Sequence, residues 1–462
     1  MKALRTLLKA LAWIVGGLVA LVVLCYLALL AINWRDRPPS ETARRFAAAY
    51  RDRPLVADTD NAFVYATGFF VAPGGDPQSA GVRRLALMNN ALKDPSRNLF
   101  STAANYDYKA ARSAVVQALS DACRDGTSEC LAALERDAPA LAEWSSSERW
   151  LFERYLTLIS RRGWRENASL DVRMTLPAYG TIVEGQRLLL VQAWMRAGEK
   201  DTATVRNLLA QDLRFWRHTL ACSDILITKM IAVAALKRHF KMGDLVLRRL
   251  PAEREAAGRP AEWATEMTIP ERSMMRTWVG EWVFLDTFTK QTKAGETSIT
   301  RAEGPLASAW RHAWSPLLQT QDFSNQWAEA FERANAELDV PYDQYRAGVA
   351  RAEAIMMASS EGGLPPIRAY NPVGAVFRWL NGTQYAGYSE RVVDIEGVRR
   401  AALLASDLRS RGITAAQVRA ELSASAIREP YGNEPFGWNE KKGALIFTGL
   451  ERSSRGEHEI IY

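Results

Sequence analysis

The chain has 462 residues, 48% hydrophobic and 24% charged, an ordinary globular composition that can bury a core without disulfides or metals. The net charge of +7 does not mark a nucleic-acid binder. Lys2, Arg5 and Lys9 precede the first apolar run, the remaining excess is dispersed, and no window carries the basic stripe that neutralises successive phosphates.

The first element is a run of 23 residues without charge, Ala10 to Ile32. As a helix it is about 35 Å long at 1.5 Å per residue, enough to cross a hydrocarbon layer of about 30 Å. A cleaved leader would have a shorter apolar segment and a small-x-small site after it; Leu29, Ala31, Ile32 and Trp34 do not supply one. Lys2, Arg5 and Lys9 outweigh Arg35 and Arg37, which Asp36 partly offsets, so the N-terminus is expected in the cytoplasm and the bulk outside.

Proline-rich residues 33–54 read as a linker, with Ser40 capping a short helix from Glu41 to Tyr50. The loop Ala72–Pro77 lacks the Lys-Ser/Thr of a phosphate-binding loop and reads as a turn. From about Gln78 to Ser425 the periodicity is mostly helical. Trp144, Leu151, Tyr155, Leu158 and Ile159 line one side of a segment ending at Ser160. Val205, Leu209, Leu213, Trp216 and Leu220 form a stripe at helical spacing. Ser223 is expected to cap a helix that stops after Phe240, with basic residues in the last turn and Gly243 just beyond.

Pro270 is expected to start another helix, with Met274, Trp278, Trp282, Leu285 and Phe288 aligned. A polar loop is expected at Gln291–Gly304, a helix through Phe323, Trp327, Phe331 and Leu338, and a break at Glu361–Pro372. A long helix from Tyr385 to Arg411 is expected to end at Gly412. The tail, from Glu429, is rich in turns, and Ala444–Thr448 reads as a strand.

The expected fold is mainly α: one N-terminal transmembrane helix, then an irregular α-helical array with a small C-terminal β-hairpin or turn-rich tail. The expected division is a cytoplasmic tip (1–9), a transmembrane helix (10–32), a linker (33–54), a helical extracytoplasmic domain (55–428) and a turn/strand tail (429–462).

Cys123 and Cys130 bracket the turn CRDGTSEC and are a disulfide candidate in an oxidising compartment; two reduced thiols at adjacent helix ends are the alternative. Four histidines without partners at ligand spacing predict neither a metal site nor a cofactor. Gly-x-Ser-x-Gly, Ser-x-x-Lys, His-Glu-x-x-His and a dinucleotide fingerprint do not occur. Carboxylate pairs among Glu143, Glu148 and Glu153, or Glu281 with Asp286, the candidates for glycoside hydrolysis, are expected by chance among 52 acidic residues. Tryptophan is abundant, with 15 copies. Trp278/Trp282 and Trp310/Trp314 are i, i+4 pairs and the candidate interaction residues, as a platform for a glycan or a partner helix. Core packing is the competing assignment, favoured by Met274 and Leu285 on the same stripe.

Residues 187–249 resemble the helical hairpins of tetratricopeptide-type proteins, without that family's Trp–Leu-Gly–Tyr spacing. Through Asn61–Pro77, Phe215–Leu236, Asn371–Gly374 and Tyr431–Gly449, the chain also resembles a group of proteobacterial inner-membrane-anchored helical envelope proteins. That resemblance implies topology and no activity. The expected role is a membrane-tethered periplasmic scaffold or protein-binding module, with the bilayer bound through residues 10–32, a protein partner in the envelope and no nucleic acid. A cell-wall-directed hydrolase and a lipid-binding helical domain are the alternatives.

Overall fold

The uncharged run forms most of one long helix, α1 (Lys2–Ile32). Its stretch Thr6–Ile32 contains an 18-residue window with a mean hydropathy of 2.8 and is the one helix among the described residues long and apolar enough to cross a membrane. The computed structural model describes residues 2–92, 108, 114–125, 127–296, 305–357, 368–382, 385, 387–452 and 456–462.

Helices continue in order: α2 (Glu41–Arg51), α3 (Ala62–Thr67), α4 (Pro77–Ala91), α5 (Ala114–Asp125), α6 (Thr127–Arg136), α7 (Ala138–Ser147) and α8 (Arg149–Ile159). Next come α9 (Tyr179–Gly198), α10 (Thr202–Cys222), α11 (Leu226–Arg248), α12 (Ala252–Gly258), α13 (Ile269–Arg272) and α14 (Met275–Ala294). The last are α15 (Pro305–Trp314), α16 (Thr320–Leu338), α17 (Tyr345–Met357), α18 (Pro372–Gly382), α19 (Tyr388–Ser410) and α20 (Val418–Ala424). Strands β1 (Gly437–Asn439), β2 (Ala444–Thr448) and β3 (Glu457–Ile461) close the chain as one antiparallel sheet in that order. The fold is therefore mainly α, with one apolar N-terminal helix and a small C-terminal sheet.

The chain divides into two compact units. The first comprises Met1–Arg51, Trp282–Arg333 and Ala354–Ala386. Its core includes Phe46 set edge-on to Trp282, and Trp327 and Phe331 edge-on to Tyr385. The chain leaving α1 is tied down here. Asn33 accepts the Asn371 N–H at 2.7 Å and donates to Ala369 O. Asp36 takes the N–H groups of Gln321 and Asp322 at the start of α16, satisfying donors a helix N-terminus leaves open. Ser40 caps α2 through the Ala43 N–H, as its position predicts.

The second unit comprises Asp52–Glu281, Ala334–Glu353 and Gly387–Tyr462. Its centre is α9, α10 and α11, joined by three-residue connections, which make consecutive packed helices antiparallel. Leu188, Leu189, Leu190 and Val191 of α9 are all fully buried, as in a helix enclosed on every side. The α10 stripe Val205, Leu209, Leu213, Trp216 and Leu220 is buried as read from its spacing. α19 lies on α11, and the sheet lies on α19. There Asp394 accepts from Tyr431 Oη and from the Leu450 and Glu451 N–H groups, joining helix to tail.

Several helix boundaries differ from expectation, each for a physical reason. α11 runs through Gly243 to Arg248; Gly243 is there because an added Cβ would stand 3.0 Å from the Trp263 ring. Ser223 does not cap α11; its hydroxyl donates back to Thr219 O at the end of α10. Pro270 starts only the single turn α13, whose capping box of Thr268 and Glu271 closes on itself before α14 begins. The segment from Trp144 to Ser160 is interrupted at Glu148, between α7 and α8, although its five apolar residues are buried. α14 persists to Ala294, so the polar loop is shorter at its start, and 297–304 lie outside the described residues. The break at Glu361–Pro372 also lies largely outside them, and α19 begins at Tyr388 and is followed by α20.

Candidate functional site

Cys123 and Cys130 are joined by a disulfide that links the end of α5 to the first turns of α6. α6 is held from its other side by Thr127, which donates to Glu459 O at 3.3 Å, and Ser128, which donates to Glu459 Oε1 at 2.7 Å. So placed, α6 forms one wall of a recess of about 310 Å³. Its lining is Leu131 and Glu135 from α6, Ala138 from α7, Trp194 from α9, and Leu245, Arg248 and Arg249 at the end of α11. α7 is tied to α9 by the hydrogen bond from Gln192 to Ser145.

The guanidinium of Arg249 lies over the Trp194 ring, 3.3 Å from its centroid, a cation–π contact. Gly198, one turn beyond Trp194, makes room for it: an added Cβ would stand 2.7 Å from Arg249 Nε. Burial holds Arg249 below its ordinary pKa, and Glu135 opposes the shift. Two donors in the lining, the Trp194 indole N–H and one Nη of Arg248, have no hydrogen-bond partner among the described residues. Buried donors are normally satisfied. Two guanidinium groups against one carboxylate, beside Leu131, Ala138 and Leu245, make a donor set for an anion carried on an apolar body. Read from sequence, such basic residues near a helix end signal only helix termination; their meeting with a tryptophan two helices away is not visible in the order of residues.

Two polar centres lie elsewhere in this unit. Glu166 Oε2 accepts the Asp224 N–H at 2.7 Å, and Asp224 is held by Arg53 and by Arg276 Nε at 2.9 Å. Burial, then the neighbouring Asp224 charge, pushes the Glu166 carboxyl well above the usual carboxylate range. Glu166 is 0% exposed and Asp224 1%, so this pair of carboxylates faces the core. Cys222 Sγ lies 4.0 Å from His218 Nδ1, and burial raises the thiol pKa, opposite to what a nucleophilic cysteine needs. Among the described residues no group of three or more His, Cys, Asp or Glu side chains could hold a metal ion.

The four candidate tryptophans separate. Trp278 and Trp282 are 2% and 7% exposed. The Trp282 indole donates to Ser324 O at 2.8 Å. Both are core side chains, as the stripe they share with Met274 and Leu285 favours, and not the exposed platform that was the other reading. Trp310 and Trp314 lie on α15, in the first unit. Trp310 is 72% exposed, and Trp314 is half-buried, tilted against Phe377 of α18 at 6.4 Å. The C-terminal turn of α15 touches α1: Tyr26 Oη donates to Ala313 O at 2.8 Å.

No family model, curated protein or solved structure matches the chain.

Proposed function

We propose that this chain is a membrane-tethered binding module of a bacterial envelope. In this reading α1 is a single-pass anchor in the inner membrane, residues 1–9 are cytoplasmic, and the helical body is periplasmic. The basic residues ahead of the apolar run favour that orientation. The Cys123–Cys130 disulfide favours an oxidising compartment.

The observation that carries the binding role is the recess of Trp194, Arg248 and Arg249, with two buried donors left unmatched. Its volume is at the small end of ligand sites, which run from roughly 300 to 1,000 Å³. It admits one side chain or chain terminus of a partner rather than a whole acyl chain. Glu135 at the wall favours a single negative charge, so the group recognised is a carboxylate on an acidic peptide segment.

Crosslinking in intact cells, with capture through a C-terminal tag, tests this reading. The expected result is one stoichiometric protein partner, depleted at least 10-fold by Arg248→Gln with Arg249→Gln. A partner retained by the double variant would remove the recess from the reading. A chain that crosslinks to nothing beyond background would overturn the module itself.

A further inference from the structure

We propose that the first unit is seated on the bilayer surface, with α15 and α18 lying in the headgroup layer beside the anchor. This rests on the anchor role of α1 proposed above and adds a second membrane contact to it.

The depth of α1 locates the neighbouring helices. Tyr26 lies six residues before Ile32, the last residue of α1, about 9 Å along the axis at 1.5 Å per residue. The hydrogen bond from Tyr26 Oη to Ala313 O therefore places the end of α15 beside the apolar part of α1, not beyond it. Tyr26, Leu29 and Leu30 are correspondingly half-covered, while the rest of the run from Thr6 to Ala28 is exposed. The chain that follows α1 is not free to lift the unit away. Asn33 is bonded to Ala369 and Asn371, Tyr370 Oη donates to Arg35 O at 3.3 Å, and Asp36 caps α16. What reads in sequence as the start of a linker is bound at each of these points to the first unit.

The exposed side chains on these elements suit a membrane boundary. Trp310 on α15 is 72% exposed, Leu380 on α18 is 53% exposed, and Trp34 just past α1 is 80% exposed. Large apolar and indole side chains at the level of a membrane–water boundary are stabilised there, where the ring is half in hydrocarbon and the N–H stays hydrated. Exposed Arg35 and Arg368 flank the same segments and complement anionic headgroups. The occupant of this face is therefore lipid, because α15 touches the apolar helix itself through Tyr26.

The test uses the full chain in nanodiscs of phosphatidylcholine and phosphatidylglycerol, with and without doxyl-labelled lipid. An environment-sensitive fluorophore is attached at one cysteine at a time. The first position is native Cys25 in the Cys222→Ser background. The others are Trp310→Cys and Leu380→Cys, each with Cys25→Ser and Cys222→Ser. Cys25 is exposed on α1 and serves as the reference for hydrocarbon depth. The expected result is quenching at positions 310 and 380 at least half as strong as at Cys25. Quenching at Cys25 with none at 310 and 380 would overturn the seated unit while leaving the anchor intact. Absence of quenching at Cys25 would overturn the anchor, and the seated unit with it.

Discussion

His239 Nδ1 lies 2.8 Å from Asp212 Oδ2, and its Nε2 lies 3.0 Å from Trp263 Nε1. An indole nitrogen can only donate, so Nε2 must accept and the ring proton resides on Nδ1, facing the carboxylate. Both ring nitrogens are occupied, and both side chains are 0% exposed. The same carboxylate accepts from Tyr155 Oη at 2.6 Å and Gln186 Nε2 at 3.1 Å, and Tyr155 Oη in turn accepts from Trp216 Nε1 at 2.8 Å. This is a wholly internal network joining α8, α9, α10, α11 and Trp263. Its histidine–aspartate pair orients packing rather than a substrate.

Asp212→Asn is expected to lower stability by about 3 kcal/mol, because the amide turns an N–H₂ group toward donors on one side or the other. Urea unfolding of the full chain in detergent micelles, followed by circular dichroism, measures it. A loss below about 1 kcal/mol would mean that the network relaxes around the amide.

Lys229 gives a pH prediction of definite sign. Its ammonium is 1% exposed and donates to Leu220 O at 3.0 Å and Glu271 O at 3.3 Å. Burial, aided by the Arg276 charge, pulls its pKa from 10.5 down to about 7. Between those values the unfolded chain holds a proton that the folded chain has released, so stability rises with pH across that window. Below about 7 both states are protonated and the contribution is constant. Lys229→Met should remove up to about 1.4 kcal/mol per pH unit of that slope. Unfolding series at three pH values between 7 and 10 compare the two chains; parallel lines would refute the shift.

Legibility follows locality. The α10 stripe is readable because Val205, Leu209, Leu213, Trp216 and Leu220 repeat at helical spacing and face one core. The strand at Ala444–Thr448 is readable because Lys441-Lys-Gly443 announces a turn, and Gly443 has a φ of +59°. Gly243 misleads because one residue type serves two ends: a helix stop through its backbone freedom, or close packing through its missing Cβ, here against Trp263. The recess is not legible. Trp194 and Arg249 are 55 residues apart and meet only because α9 and α11 are neighbours. Trp310 stands out in the sequence, but its spacing to Trp314 carries no information about which face meets solvent, core or lipid.

The disulfide should contribute measurably although its loop is short. Cys123 and Cys130 are separated by 7 in sequence, for which loop-closure entropy in the unfolded chain gives about 2–3 kcal/mol. Cys123→Ser with Cys130→Ser, or reduction of the parent chain, should lower the unfolding midpoint by the corresponding amount. Because α6 supplies Leu131 and Glu135 to the recess, the double variant should also weaken partner capture. Equal midpoints for oxidised and reduced chains would show that the bond forms without constraining the unfolded ensemble.

Gly397 lets α19 approach the sheet closely. A Cβ built on it would overlap the Phe447 ring at Cζ. The ring has little room to yield: it is 0% exposed, stacked on His458 at 5.7 Å, and contacts Tyr431 and Phe436 on other sides. Gly397→Ala should therefore cost about 3 kcal/mol, the upper part of the range for overpacking. Gly412→Ala is the contrasting case, with open space around it and a φ of +70°; its cost is conformational, about 1–2 kcal/mol. Removing the obstructing ring separates the two origins. With Phe447→Leu already present, Gly397→Ala should become at least about 1 kcal/mol milder, whereas Gly412→Ala should be unchanged. A double-mutant cycle on unfolding free energies reads this directly. Strict additivity of Gly397→Ala and Phe447→Leu would mean that the helix and sheet separate to admit the methyl group, and that the close approach is not what secures the tail.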